Sequence, residues 1–238
     1  MNLPVVVIGG GGHCRVLLDA LRLSGREVLG ICEKDPTLFG DRIRGIPILG
    51  TDDEISRFEC SDVELVNAIG SVGSTALRAA LFCKFRGLGY RFATVIHPSV
   101  IIASDVTMDE GVQVMAGAIV QTGSHIGMNS IINTRVSIDH DCVIGTDAHL
   151  APGVTLSGCV RVGSGVHIGT GAIVIQGIEI GRNSIIGAGS VVLRDVAEAI
   201  KVFGVPARQI PVTIPSCSVE RNGKPGVIHE LHDSKPTA

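Results

Sequence analysis

From Ile96 to Val192 every sixth residue is aliphatic, seventeen positions without a break that include Met108, Ile126, Ile144, Leu150, Ile168 and Ile186. Two residues before the later members stand small or β-branched residues such as Val106, Ala118, Val136, Ala148, Val166 and Ser184, and glycine often follows the aliphatic, as at Gly127, Gly145, Gly163, Gly169, Gly181 and Gly187. A period of six fits neither a helix nor a plain alternating strand. It fits a parallel β-helix, in which short flat strands meet at tight corners, the aliphatic fills the interior and glycine takes the corner dihedrals.

The N-terminal part reads differently. Val5 to Ile8 is a buried-strand run, Gly9-Gly10-Gly11-Gly12-His13 is a glycine loop, and Val16, Leu17, Ala20 and Leu21 line one face of a helix that stops at Gly25. Val28 to Cys32, Val63 to Ile69 and Phe92 to Ile96 predict further strands, and Thr75 to Arg86 a second helix. The order predicts a small Rossmann-like parallel α/β unit over 1–92, followed by the β-helix over 93–210 and a polar, proline-containing extension over 211–238 that is expected to be partly disordered.

Composition narrows the chemistry. The chain of 238 residues is 45% hydrophobic with 31 glycines, one tyrosine and no tryptophan, so its core must come from closely spaced aliphatics. A formal net charge of -3 without a basic block argues against nucleic acid or an anionic membrane as partner, leaving a small molecule. The start MNLPVVVIGGGG lacks a basic n-region and its apolar run is broken early, so no leader and no membrane span are expected and the location is expected to be cytoplasmic. Seven scattered cysteines without a C-x-x-C pair are expected to be reduced and mostly buried.

A glycine loop between a first strand and a helix presents backbone N–H groups to a phosphate. The dinucleotide fingerprint G-x-G-x-x-G is only partly met, since Gly9 and Gly11 are present but Cys14 holds the third place; Glu33, at the end of the second strand, stands where an acid would hold a ribose. NAD binding and a purely structural turn both stay open on this pattern. In the repeat, Asn133, His140 and Asp141 form an N-x6-H-D pattern, with His149 nine residues on. A histidine near its ordinary pKa can take up a proton at neutral pH, so His140 is the candidate general base, with Asp141 orienting its ring. His125 and His167 read as solvated surface residues and Asp139 as a turn residue.

With this arithmetic the repeat resembles the left-handed β-helix of the hexapeptide acyltransferases, in which three hexads complete a coil; Val202-Phe203-Gly204-Val205-Pro206-Ala207-Arg208 resembles their closing element. With the N-terminal domain included, residues 1–210 resemble the NeuD/PglD group of bacterial sugar acetyltransferases. That resemblance implies acetyl-CoA as cosubstrate, no metal, a homotrimer, and N-acetylation of a nucleotide-linked amino sugar, a UDP-4-amino-4,6-dideoxy sugar first. Acceptor contacts are implied for Gly11, Gly12, His13, Glu33, Lys34 and Gly70, and acetyl-CoA contacts for His149, Gly158, Thr170 and Ala188, beside the catalytic set His140, Asp141 and Asn133. A coil of eighteen residues further places Gly158 above His140, Thr122 below it, and His167 on His149. Sialic acid O-acetylation and a non-catalytic nucleotide-sugar-binding role are the alternatives. A zinc hydratase on the same β-helix needs two histidines five residues apart, and His125, His140, His149 and His167 offer no such pair.

Overall fold

The computed structural model describes residues 3–209; the expected C-terminal extension and Cys217 lie outside them. The N-terminal unit runs β1 (Val5–Ile8), α1 (Gly12–Leu23), β2 (Val28–Cys32), β3 (Arg42–Ile43), β4 (Ile46–Gly50), β5 (Glu64–Asn67), α2 (Ala76–Gly87) and β6 (Arg91–Phe92). Its sheet has the order β3-β4-β2-β1-β5-β6 and is parallel except for the β3/β4 hairpin. β1 is buried at all four positions because it is central, and it pairs with β2 on one side and β5 on the other. Cys14, Leu17, Leu18 and Leu21 of α1 pack onto it, and α1 ends with Gly25 at φ +68.

Two elements differ from the sequence reading. The hairpin β3/β4 turns at Arg44-Gly45, both at positive φ, a turn that a search for Asn-Gly or Asp-Gly misses. Phe92 to Ile96 is not one strand: Arg91–Phe92 closes the α/β sheet and Val95–Ile96 opens the coil. The cysteines are also less buried than expected, with Cys14, Cys32 and Cys142 inside and Cys60, Cys83 and Cys159 exposed.

From Val95–Ile96 to Val191–Val192 follow seventeen two-residue strands, and each of the first fourteen pairs in parallel with the strand eighteen residues on. They form three faces. Face 1 carries Val95, Gln113, Ile131, His149, His167 and Ile185 outward; face 2 carries Ile101, Ile119, Ser137, Thr155, Ile173 and Val191; face 3 carries Thr107, His125, Val143, Arg161 and Glu179. The second residue of each strand points inward and forms one continuous core from Val114 to Val192. The first coil departs from this: Ile96 is 38% exposed and Ile102 and Met108 are only half-buried, because no coil is stacked below them.

The corners separate two uses of glycine that the sequence pattern merges. Left-handed φ recurs every sixth residue from Gly111 to Gly189, and glycine shares that position with Asn129, Arg135, Asp141, Asp147, Cys159 and Asn183. The glycine after the inward aliphatic serves a different end. A Cβ on Gly127 would lie 2.7 Å from Thr146 N, against the backbone of the next coil, so close stacking and not the dihedral excludes a side chain there.

Ile144 is fully buried in this core. Ile144→Asp should abolish folding, since an unpaired carboxylate there costs several kcal/mol; native circular dichroism in that variant would show the inward assignment to be wrong.

Candidate active site

The glycine loop is built on the end of β1. Gly10 N donates to Glu33 Oε2 at 2.6 Å, while Glu33 Oε1 accepts from Lys34 N at 2.9 Å and Asp35 N at 3.2 Å. Glu33 therefore clamps the loop to the end of β2, and both of its oxygens are engaged by backbone, where the sequence suggested a carboxylate free for a ribose. Gly11 and Gly12 face open space, with nothing within 4 Å of an added Cβ, and they open α1, whose N-cap Gly11 supplies no side-chain cap. Free N–H groups and the positive end of the helix dipole leave room for an anion. Lys34 is exposed, and a Cβ on Gly70 would lie 3.5 Å from His13 Cβ.

His13 reaches across to the coil. Its Nε2 lies 2.8 Å from Gln113 Oε1, and Gln113 Nε2 donates to the Asn67 carbonyl at 2.8 Å. A carbonyl only accepts, so the amide of Gln113 can face one way, and His13 must carry its proton on Nε2. Burial pushes the His13 pKa down to about 4, so at neutral pH the ring is uncharged and its Nδ1 is a lone-pair acceptor. Below it Arg78 of α2, only 1% exposed, donates from Nε to Asn129 O at 2.9 Å and from Nη1 to Asn67 O at 2.6 Å. Burial lowers the Arg78 pKa to about 9, opposed by the charge of Asp147, which leaves it protonated at pH 7. Sequence reasoning missed Gln113 and Arg78. The available signal was a glutamine in a face 1 column whose neighbours Val95 and Ile131 are apolar.

Further up face 1, His149 and His167 stack in register with ring centroids 5.1 Å apart, and both are buried. His167, read from sequence as solvated, is 8% exposed because Ser71 and its neighbours cover this part of the face. His149 Nδ1 lies 2.5 Å from Ser71 Oγ and Nε2 lies 3.1 Å from Asn133 Nδ2. Asn133 therefore serves His149, not His140, with which its spacing had grouped it. Burial first, then the neighbouring His167, pushes the His149 pKa down to about 3. A cavity of about 470 Å³ opens here, lined by Ser71, His149, His167, Thr170, Ala188 and Phe203 among others. Three of the four residues expected at acetyl-CoA thus line one cavity, and Gly158 does not. A larger cavity of about 650 Å³, under the start of α2 and lined by Asp147, Arg182 and Lys201, holds none of the predicted residues.

His140 sits elsewhere, at the corner between faces 2 and 3, opposite face 1. Its Nδ1 is 2.8 Å from Asp141 Oδ2, and Asp139 Oδ1 accepts from His140 N at 2.8 Å, the local turn bond expected of Asp139. Asp141 occupies the left-handed corner at φ 57, which aspartate tolerates, and this turns its carboxylate back onto the ring. Gly158 lies over the ring: a Cβ there would overlap His140 Nε2. Thr122 lies on the other side, its carbonyl accepting from Asp141 N at 2.9 Å. The ring is half exposed, and its pKa is raised above the ordinary 6.5, chiefly by the hydrogen bond it donates to Asp141. Cys159 brings a third donor, and His140, Asp141 and Cys159 form the one group among the described residues with three metal-type donor atoms within 4.8 Å of one another.

Residues 4–85 match the family described as PglD N-terminal domain, and 123–158 and 159–194 match bacterial transferase hexapeptide (six repeats). A variant of perosamine N-acetyltransferase from Caulobacter crescentus, solved with CoA and GDP-perosamine, is 39% identical over 87% of this chain and 96% of its own, with a TM-score of 0.82. The acetyltransferase domain of PglB from Neisseria gonorrhoeae, solved with acetyl coenzyme A, is 31% identical over 88% of this chain and all of its own, TM-score 0.81. WeeI from Acinetobacter baumannii is 25% identical over the same 88%, TM-score 0.78. No helix among the described residues is long and apolar enough to cross a membrane. With a glycine-loop α/β domain joined to a coil that carries the His140-Asp141 pair, and with these likenesses spanning nearly its whole described length, the chain belongs to the hexapeptide-repeat sugar acetyltransferases that carry a PglD-type N-terminal domain.

Proposed function

We propose that the protein transfers the acetyl group of acetyl-CoA to the amine of a nucleotide-activated amino sugar, with His140 as general base. The observation that carries this reading is the contrast among three histidines. Burial holds His13 and His149 at pKa values of about 4 and 3, too low to take a proton from an amine, whereas Asp141 raises His140 and leaves its Nε2 facing the space over Gly158. In this reading Nε2 of His140 removes the amine proton as nitrogen attacks the thioester carbon. Asp141 stabilises the imidazolium, and the departing CoA thiolate recovers a proton.

The acceptor is assigned to the glycine loop, where the open N-terminus of α1 suits a diphosphate and Gly11, Gly12, His13, Lys34 and Gly70 surround the entry. The acyl donor is assigned to the cavity at His149, Thr170 and Ala188. Since His140 stands on the opposite corner of its own coil, a complete site takes His140 and Gly158 from a second copy. An assembled homotrimer supplies that arrangement, and the apolar side chains exposed on or beside face 2, Ile101 at 63%, Ile173 and Leu193, suit such packing. Sequence resemblance points to a UDP-linked 4-amino-4,6-dideoxy sugar, while the 39% identical relative was solved with GDP-perosamine; the nucleoside is resolved by assay. A cytoplasmic site of action follows from the use of acetyl-CoA.

Thiol release from acetyl-CoA should be driven by one of the UDP-, dTDP- or GDP-linked amino sugars and not by sialic acid; release with sialic acid alone would replace N-acetylation by O-acetylation. His140→Ala should lower kcat by about 10² to 10⁴-fold with little change in acetyl-CoA binding; a kcat close to that of the unaltered protein would remove His140 as base. For wild type, kcat/KM should decline as pH falls through a raised His140 pKa, and Asp141→Asn should move that acid limb to lower pH. His13→Ala should raise the KM for the sugar nucleotide more than that for acetyl-CoA, and the reverse pattern would exchange the two binding assignments.

A further inference from the structure

We propose that Ser71 is a catalytic hydrogen-bond donor to the thioester carbonyl, its hydroxyl turned into the cavity by a relay from Asn133 through His149. The inference rests on the acyl-donor assignment above and on a chain of forced orientations. Thr134 N donates to Asn133 Oδ1 at 2.8 Å, and a backbone N–H can only donate, so the other end of the amide facing His149 is the NH2 group. Asn133 Nδ2 therefore donates to His149 Nε2 at 3.1 Å. That nitrogen must be bare. The neutral ring then carries its proton on Nδ1 and donates it to Ser71 Oγ at 2.5 Å. Ser71 Oγ is the acceptor in that bond and has no other side-chain or backbone partner among the described residues, so its own O–H is left to donate. Ser71 lines the cavity that also holds His167, Thr170 and Ala188.

This arrangement answers a difficulty in giving the carbonyl to His149 itself, because both of its ring nitrogens are already engaged. Ser71 supplies the donor and His149 is a positioning residue. As the amine nitrogen bonds to the acyl carbon, the carbonyl electron pair moves onto oxygen, where the Ser71 O–H meets the developing charge. Collapse restores the carbonyl and breaks the C–S bond, and the proton held by His140 ends on the thiolate.

The test combines turnover with a readout that needs none. In protein labelled with ¹⁵N at histidine, two-bond ¹H–¹⁵N spectra at pH 7 should show His149 protonated at Nδ1 and bare at Nε2, and Asn133→Asp, which offers only an acceptor, should place a proton on Nε2. Ser71→Ala should lower kcat about 10²-fold with the sugar-nucleotide KM unchanged. Ser71→Thr, which keeps a hydroxyl, should recover most of it. A proton on His149 Nε2 in the unaltered protein, a Ser71→Ala kcat within a factor of two of wild type, or a loss confined to the sugar-nucleotide KM would each overturn the proposal. Failure of the base assignment is separately visible, because it shows in His140→Ala while the His149 tautomer is unaffected.

Discussion

Everything in the site depends on the stacking of one coil on the next. The backbone ladder repeats with every turn, His149 N to Val166 O at 2.9 Å, Asn133 N to Leu150 O at 3.0 Å, His167 N to Ser184 O at 3.0 Å, and it admits no slippage, since a shift of one residue would turn the inward aliphatics out. Each outward side chain is therefore placed by arithmetic. The same stacking demands backbone contact where Gly127, Gly145 and Gly163 lie, and a left-handed residue at every corner, which is how Asp141 comes to face His140. The chemistry is hung on a frame that was shaped for close packing.

That arithmetic explains what could be read from sequence. A period carried by seventeen aliphatics predicts the β-helix, and the eighteen-residue coil places Gly158 over His140 and His167 on His149. The α/β unit is legible for a similar reason: buried runs flanked by glycine leave few alternatives for β1, α1 and β2. What the period does not say is which face another domain covers. Ser71 and its neighbours bury His149 and His167 and bring Ser71 to the ring, a contact across 78 residues with no local trace. Glu33 illustrates the same limit, since an acid after the second strand suits a ribose by position yet is used up by three backbone N–H groups.

Electrostatically the site divides by solvent access. His13 and His149 are enclosed at the seam and stay neutral, and amides whose orientation is dictated by backbone partners select one tautomer for each, Nε2–H in His13 and Nδ1–H in His149. His140 is left in solvent with a carboxylate on its ring, the opposite treatment. Neutral, tautomer-locked rings suit binding and orientation, while a titratable ring suits proton transfer. Their separation on one chain is itself informative, because face 1 and the corner opposite to it cannot border a common cavity unless a second coil lies alongside.

The seam between the domains carries a cost that its packing alone does not explain. Arg78 is a charge removed from water without a carboxylate against it, and an apolar side chain of similar volume would spare the desolvation. What the guanidinium provides is direction. Its Nη1 shares the Asn67 carbonyl with Gln113 Nε2, and its Nε holds the Asn129 carbonyl, whose residue's side chain bonds Asp147 at 2.6 Å in the next coil. An apolar substitute would leave Gln113 Nε2 on the Asn67 carbonyl but strip the Asn67 and Asn129 carbonyls of their Arg78 donors. The buried charge is better understood as fixing one arrangement of α2 against β5 and the coil, through directed bonds to their carbonyls, than as strengthening the contact between domains.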